Sequence, residues 1–169
     1  MALRTIITYP HPILRQKAEP ITVFDQELKD LVSDMTETMY HAPGIGLAAN
    51  QIGVALQVVV VDCSSAENKH ACIALVNPVI SSGEDRVDGD EGCLSVLECY
   101  TKIERFRKIH VAYQDVDGNH LEFDAEDRFA RIIQHEVDHL RGILLLDRLS
   151  VLKRALYKKR LKKILQECE

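Results

Sequence analysis

Apolar residues at positions 24, 28, 31, 32, 35 and 39 recur at helical spacing through VFDQELKDLVSDMTETMYHAPG, and the APG at its end predicts a stop. The pattern then changes period. ALQVVVVDC is a β-branched run that reads as a buried strand, and ACIALVNPVI reads as another, interrupted at Pro78. KIHVAYQDVDGNHLEFDA alternates on both sides of DVDGN, the signature of a hairpin. EDRFARIIQHEVDHLRG returns to helical spacing, with an acidic start that suits the helix dipole and Gly142 as its stop. A last helix runs from Ser150 to the end. Helices set among antiparallel strands, without strict β-α alternation, predict an α+β domain.

Composition narrows the class. A chain of 169 residues, 46% hydrophobic and 28% charged, is large enough for one domain with a real core. No apolar run approaches the ~18–20 residues of a membrane span, and MALRTIITYPHPILRQ has neither a long hydrophobic segment nor a small-residue cleavage site. Five cysteines at 63, 72, 93, 99 and 168, with no CxxC pair, suit a reducing cytoplasm better than a disulfide framework. Within a net charge of −5, residues 150–169 carry seven Lys/Arg against two Glu. An acidic body with a basic tail predicts a partner for the tail. The chain is expected to form a single domain over 1–149, with a basic C-terminal helix of that same domain over 150–169.

The chemistry starts at QHEVDHLRG. On a helix, His135 and His139 project from one face about a turn apart, so two neutral imidazoles can grip one divalent metal with Glu136 beside it. A third ligand is needed. The residue six positions after the second histidine, where metzincins place a third His, is Leu145. Downstream glutamates, the thermolysin-like choice, are limited to Glu167 and Glu169 near the chain end. The third ligand is therefore expected upstream, among five histidines and four cysteines. Cys93, in EGCLS, has a setting of its own: Gly92 permits close backbone approach, and the amide of Leu94 can face a ligand. A thiolate with two imidazoles gives a tetrahedral site with one position left for water. His110 and His120, on opposite limbs of the hairpin, have no such setting.

A third stretch, GIGLAANQ, by itself reads as a Gly-rich turn leading into a strand. It lacks the spacing of a phosphate loop, but Gln51 offers an amide donor and the glycines admit a substrate backbone. In the order GIGLAANQ, EGCLS, QHEVDHLRG, the three motifs resemble the peptide deformylase family, bacterial type 1, and the resemblance extends from YPHPILRQKAEPI to the helical tail. It implies antiparallel β-sheets packed around a central HExxH-bearing helix, with a C-terminal helix. It also implies metal-dependent removal of the formyl group from N-formylmethionyl peptides of newly made proteins. By that resemblance Cys93, His135 and His139 hold the metal, Fe²⁺ natively with Zn²⁺ or Ni²⁺ able to substitute. Gln51 and the Leu94 amide match the pair that stabilises the oxyanion, Glu136 matches the general base and acid, and Ile45, Gly46 and Gly89 fall in the substrate cleft. Ribosome docking through the basic tail is implied as well, with a cytoplasmic location and neither membrane nor DNA partners.

The chain departs from the family pattern in four places. Leu97 replaces a usual proline, Tyr100 a frequent arginine and Asp127 a common glycine, and Arg128 comes near the expected pocket rim. Glu91 and Asp138 are candidates to orient ligands, and Arg105 is expected to pair with Glu91. Two other classes share part of this signature: a zinc aminopeptidase or endopeptidase, and a non-catalytic metal-binding adaptor that uses its basic tail.

Overall fold

The computed structural model describes residues 2–64 and 71–167; His70, Cys168 and Glu169 lie outside them. Helix α1 spans Gln26–His41, and its start is capped by Asp25, whose side chain accepts from the Leu28 amide at 3.1 Å. The apolar positions 28, 35 and 39 turn inward against β1 (Gly46–Ala48) and β2 (Val58–Asp62). Then come two long strands, β3 (Cys72–Cys93) and β4 (Val96–Gln114), joined by the two-residue turn Leu94–Ser95. Strand β5 (His120–Glu126) completes one five-stranded antiparallel sheet in the order β1-β2-β3-β4-β5. The expected hairpin around DVDGN is the β4–β5 turn, with Gln114 opposite His120.

Two features of the sheet were not legible in the chain. Pro78 interrupts the ladder without ending the strand: the register slips between Val76 and Val79, with Asn77 at φ 50°, and pairing resumes. The polar run SSGEDRVDGDEG, which gives no strand signal, is the outer half of β3. It is exposed on much of its length and is drawn into the ladder by β4, from Arg86 opposite Phe106 to Glu91 opposite Thr101.

Helix α2 (Asp127–Leu140) lies across this sheet and is buried on nearly all sides from Ile132 to Leu140. Its stop at Gly142 is a Schellman turn: the Gly142 amide donates to His139 O (3.0 Å) and the Ile143 amide to Asp138 O (3.0 Å). Gly142 sits at φ 72°, and a Cβ there would come within 2.3 Å of the Arg15 carbonyl oxygen, so only glycine fits. At the other end Asp127 adopts φ 50°, the left-handed region that glycine enters with least strain.

Helix α3 (Val151–Glu167) forms as the sequence predicts, and its apolar residues are only partly buried. Tyr157 and Leu161 are buried in a cluster with Leu14, Val96, Cys99, Ile103 and Leu144–Leu146. Tyr157 Oη also donates to Leu97 O (2.9 Å), while Ile164 is half-buried and Leu165 exposed. Replacing Leu161 with alanine should lower the unfolding free energy by about 2–4 kcal/mol in urea titration. Lys162→Ala, on the exposed side of the same turn, should stay within about 0.5 kcal/mol of the parent protein.

Candidate metal centre

Strand β3 ends, and helix α2 passes, at the same point in the molecule. This brings Cys93, His135 and His139 together: one ligating atom from each lies within 4.8 Å of the others, the only such group of His, Cys, Asp or Glu residues among the described residues. Cys93 Sγ is 3.3 Å from His139 Nε2, which is 3.3 Å from His135 Nε2.

Each ligand is held from behind. His135 Nδ1 faces Glu91 Oε2 at 3.0 Å, which fixes the tautomer that turns Nε2 inward. Glu91 accepts two bonds from Arg105 (2.9 and 3.0 Å) and one from Arg131 (2.9 Å). Burial alone would raise the Glu91 pKa, but Arg105 and His135 overcome it and hold the carboxyl at about 2. Arg105 also donates to Asp138 Oδ2 (2.5 Å), and Asp138 is gripped on both oxygens by Arg148 at 2.7 Å. Glu91 and Asp138 are thus buried and paired, and the expected Arg105–Glu91 pair is present.

The donor set fits a cation on several counts. Burial favours a neutral His135, yet the Cys93 sulfur and the Glu91 carboxylate outweigh it and hold its pKa well above normal. Burial holds His139 well below its ordinary value. The Cys93 sulfur and the Glu91 carboxylate therefore favour positive charge in a space lined by soft and borderline donors. A divalent ion supplies that charge without a proton, and a thiolate with two imidazoles suits the Fe²⁺/Zn²⁺ class better than Mg²⁺ or Ca²⁺. His139 Nδ1 and Glu136 Oε2 are buried without a hydrogen-bond partner among the described residues.

A cleft of about 460 Å3 opens onto the cluster, lined by Ile45, Gly46, Gln51, Leu94, Glu136 and His135 among others. Glu136 packs directly against Gly46: a Cβ there would lie 2.4 Å from Glu136 Oε1, so the first strand must offer glycine for the carboxylate to fit. Burial raises the Glu136 pKa to about 7. Gln51 Oε1 accepts from the Ala48 amide (2.8 Å), leaving Nε2 toward Ser95 Oγ (3.1 Å) and Cys93 Sγ (3.8 Å). Gly89 does not line the cleft. It lies under the Arg131 guanidinium, which donates to its carbonyl at 3.3 Å. Ser95, Arg131 and Arg148 escaped the sequence reading, because their partners are 40 residues away or on other elements and no local spacing marks them.

Arg105→Met would leave Glu91 and Asp138 each short of a buried partner. A loss of about 3–5 kcal/mol in denaturant unfolding is expected, with little change when the exposed Arg107 is replaced in the same way.

Comparison with known proteins identifies the family. The family model described as polypeptide deformylase matches residues 3–155. A peptide deformylase of Desulfotalea psychrophila is 52% identical over 164 residues, covering 96% of this chain and 97% of that protein. One from Acidobacterium capsulatum is 46% identical over 164 residues, covering 97% and 96%. Among solved structures, a peptide deformylase from Legionella pneumophila superposes with a TM-score of 0.90 at 41% identity, covering 98% of this chain and 96% of the other. One from Ehrlichia chaffeensis in complex with actinonin gives 0.89 at 36% identity, covering 96% and 98%. Matched by the family model over most of its length and by near-full-length relatives well above 30% identity, the chain belongs to the peptide deformylase family.

Proposed function

We propose that Cys93, His135 and His139 hold one divalent metal ion and that Glu136, Gln51 and the Leu94 amide do the chemistry beside it. The observation that carries this reading is the convergence of the three ligating atoms at the floor of a cleft whose wall is Glu136. As a peptide deformylase, the chain is a metal-dependent hydrolase that removes the N-formyl group from the formylmethionine of new proteins, leaving formate and a free amine. Fe²⁺ is the native ion in our reading, with Zn²⁺ or Ni²⁺ as substitutes.

When bound, a divalent ion supplies Lewis acidity, which lowers the pKa of water and polarises the formyl carbonyl. Glu136, buried at the wall of the cleft, accepts the proton of the attacking water and passes it to the departing amine nitrogen. Gln51 Nε2 and the Leu94 amide donate to the oxyanion that develops on the formyl oxygen. Gln51 is pre-oriented for this because its carbonyl is already engaged by Ala48. Ile45 and Gly46 border the cleft beside edge strand β1, so an extended substrate can add its backbone there.

The tail supports a second element of the reading. Tyr157 and Leu161 pack α3 against residues of 1–149, which supports reading the helix as part of the same domain, while Lys158, Lys159, Lys162 and Lys163 are exposed. We assign this face to ribosomal RNA at the site of protein synthesis, in the cytoplasm. No helix among the described residues is long and apolar enough to cross a membrane.

Three measurements test these roles. Cys93→Ala should abolish stoichiometric metal in protein purified without oxygen; full occupancy would show that another ligand holds the ion. Glu136→Gln should keep metal and fold while lowering formate release from formyl-Met-Ala-Ser by ~10²-fold or more; near-parental turnover removes Glu136 from the mechanism. Replacing the four exposed lysines with glutamate should weaken salt-dependent co-sedimentation with ribosomes. Truncation is the poorer choice, because it deletes Tyr157 and Leu161 from the core. Unchanged co-sedimentation in moderate salt rules the ribosomal assignment out.

A further inference from the structure

Helix α2 turns Arg128, Arg131, Ile132, His135 and Glu136 toward the cleft, with Arg128, Ile132 and His135 in one stripe at i, i+4 and i+7. At 1.5 Å per residue, Arg128 stands about 10 Å from His135 along the helix. An extended peptide advances about 3.3 Å per residue, so Arg128 is level with the second or third residue of a substrate whose formyl carbon lies at the His135 end.

The two arginines in this wall are in opposite states. Arg131 is consumed by the scaffold, donating to Val87 O (2.8 Å), Gly89 O (3.3 Å), Ile103 O (2.7 Å) and Glu91 Oε1 (2.9 Å). Arg128 is exposed and makes no hydrogen bond or ion pair among the described residues. Its charge reaches Asp62, which already accepts from Tyr40 Oη and from Ser64. Of the other acids in the cleft, Glu91 is held by two arginines and His135, and Glu136 is buried against Gly46. Asp90 stands opposite Lys102 in the β3–β4 register, where paired side chains share a face of the sheet. An unspent guanidinium therefore faces the path along which the substrate leaves the metal cluster.

We propose that Arg128 is a specificity-determining residue of this deformylase, favouring formylmethionyl peptides with an acidic side chain at the second or third position. The inference rests on the deformylase reading above and adds a substrate class to it. The contact is a solvent-exposed ion pair, so its scale is modest: about three- to five-fold in kcat/KM.

The test compares kcat/KM by formate release for formyl-Met peptides with Asp, Ala or Lys at position two, and a second set varied at position three. The metal-loaded parent protein, Arg128→Leu and Arg128→Glu are each assayed. Within the parent, one acidic set should exceed its lysine counterpart by about three- to five-fold. That ratio should collapse in Arg128→Leu, invert in Arg128→Glu, and shrink in the parent at about 0.5 M salt as the exposed pair is screened. Equal rates for acidic and basic peptides in the parent overturn the inference, as does an acidic preference that survives in Arg128→Leu. Parental turnover of formyl-Met-Ala-Ser keeps the two readings apart. With turnover and no charge preference, Arg128 alone loses its role; with no turnover, the deformylase reading falls first.

Discussion

A guanidinium with 3% of its side chain exposed ties the molecule together at Arg105. Arg105 belongs to β4, Glu91 to β3 and Asp138 to α2, so one side chain joins the two long strands to the central helix. Taking such an ion out of water costs several kcal/mol, which only complete pairing offsets. Here both carboxylates are fully engaged, by Arg131 and Arg148 as well. The metal cluster inherits its order from this network. Glu91 fixes His135, and Asp138 precedes His139 on the same buried turn.

The same economy governs helix α2. A helix buried on nearly all sides is normally apolar, yet this one carries Gln134, His135, Glu136, Asp138 and His139 inside. Gln134 resolves part of the problem as a clasp on β4, accepting from the Phe106 amide (3.1 Å) and donating to the Phe106 carbonyl (2.9 Å). Glu136 Oε2 and His139 Nδ1 are left without partners among the described residues, and burial shifts the Glu136 titration toward neutral pH. A carboxylate with that pKa can both take and give a proton at physiological pH, which is what hydrolysis of an amide asks of it.

Helix α3 divides its faces between structure and charge. Its buried residues, Tyr157 and Leu161, extend a core that also holds Leu14 near the N-terminus and Leu144–Leu146 after α2. The opposite faces stay basic, so a charged surface can face a polyanion without loosening the fold. Arg160 sits between the two roles, bound to Glu98 at the tip of the β3–β4 hairpin.

The sequence by itself determined the elements whose signal is local. The 3.6-residue period marked α1 and α2; a β-branched run marked β2 and alternation the β4–β5 hairpin; and the fixed spacing of His135, Glu136 and His139 placed them on one helical face. Tertiary structure decided what depends on neighbours far along the chain. The polar outer half of β3 carries no strand propensity and is a strand because β4 supplies its hydrogen bonds. Arg131 and Arg148 look like solvated cations until the fold sets a carboxylate in front of each. Gly46 could be read as a flexible glycine near substrate; only packing reveals that its missing Cβ is the space Glu136 occupies. Spacing along a chain reports which side chains share a face, whereas burial and pairing are properties of the whole fold.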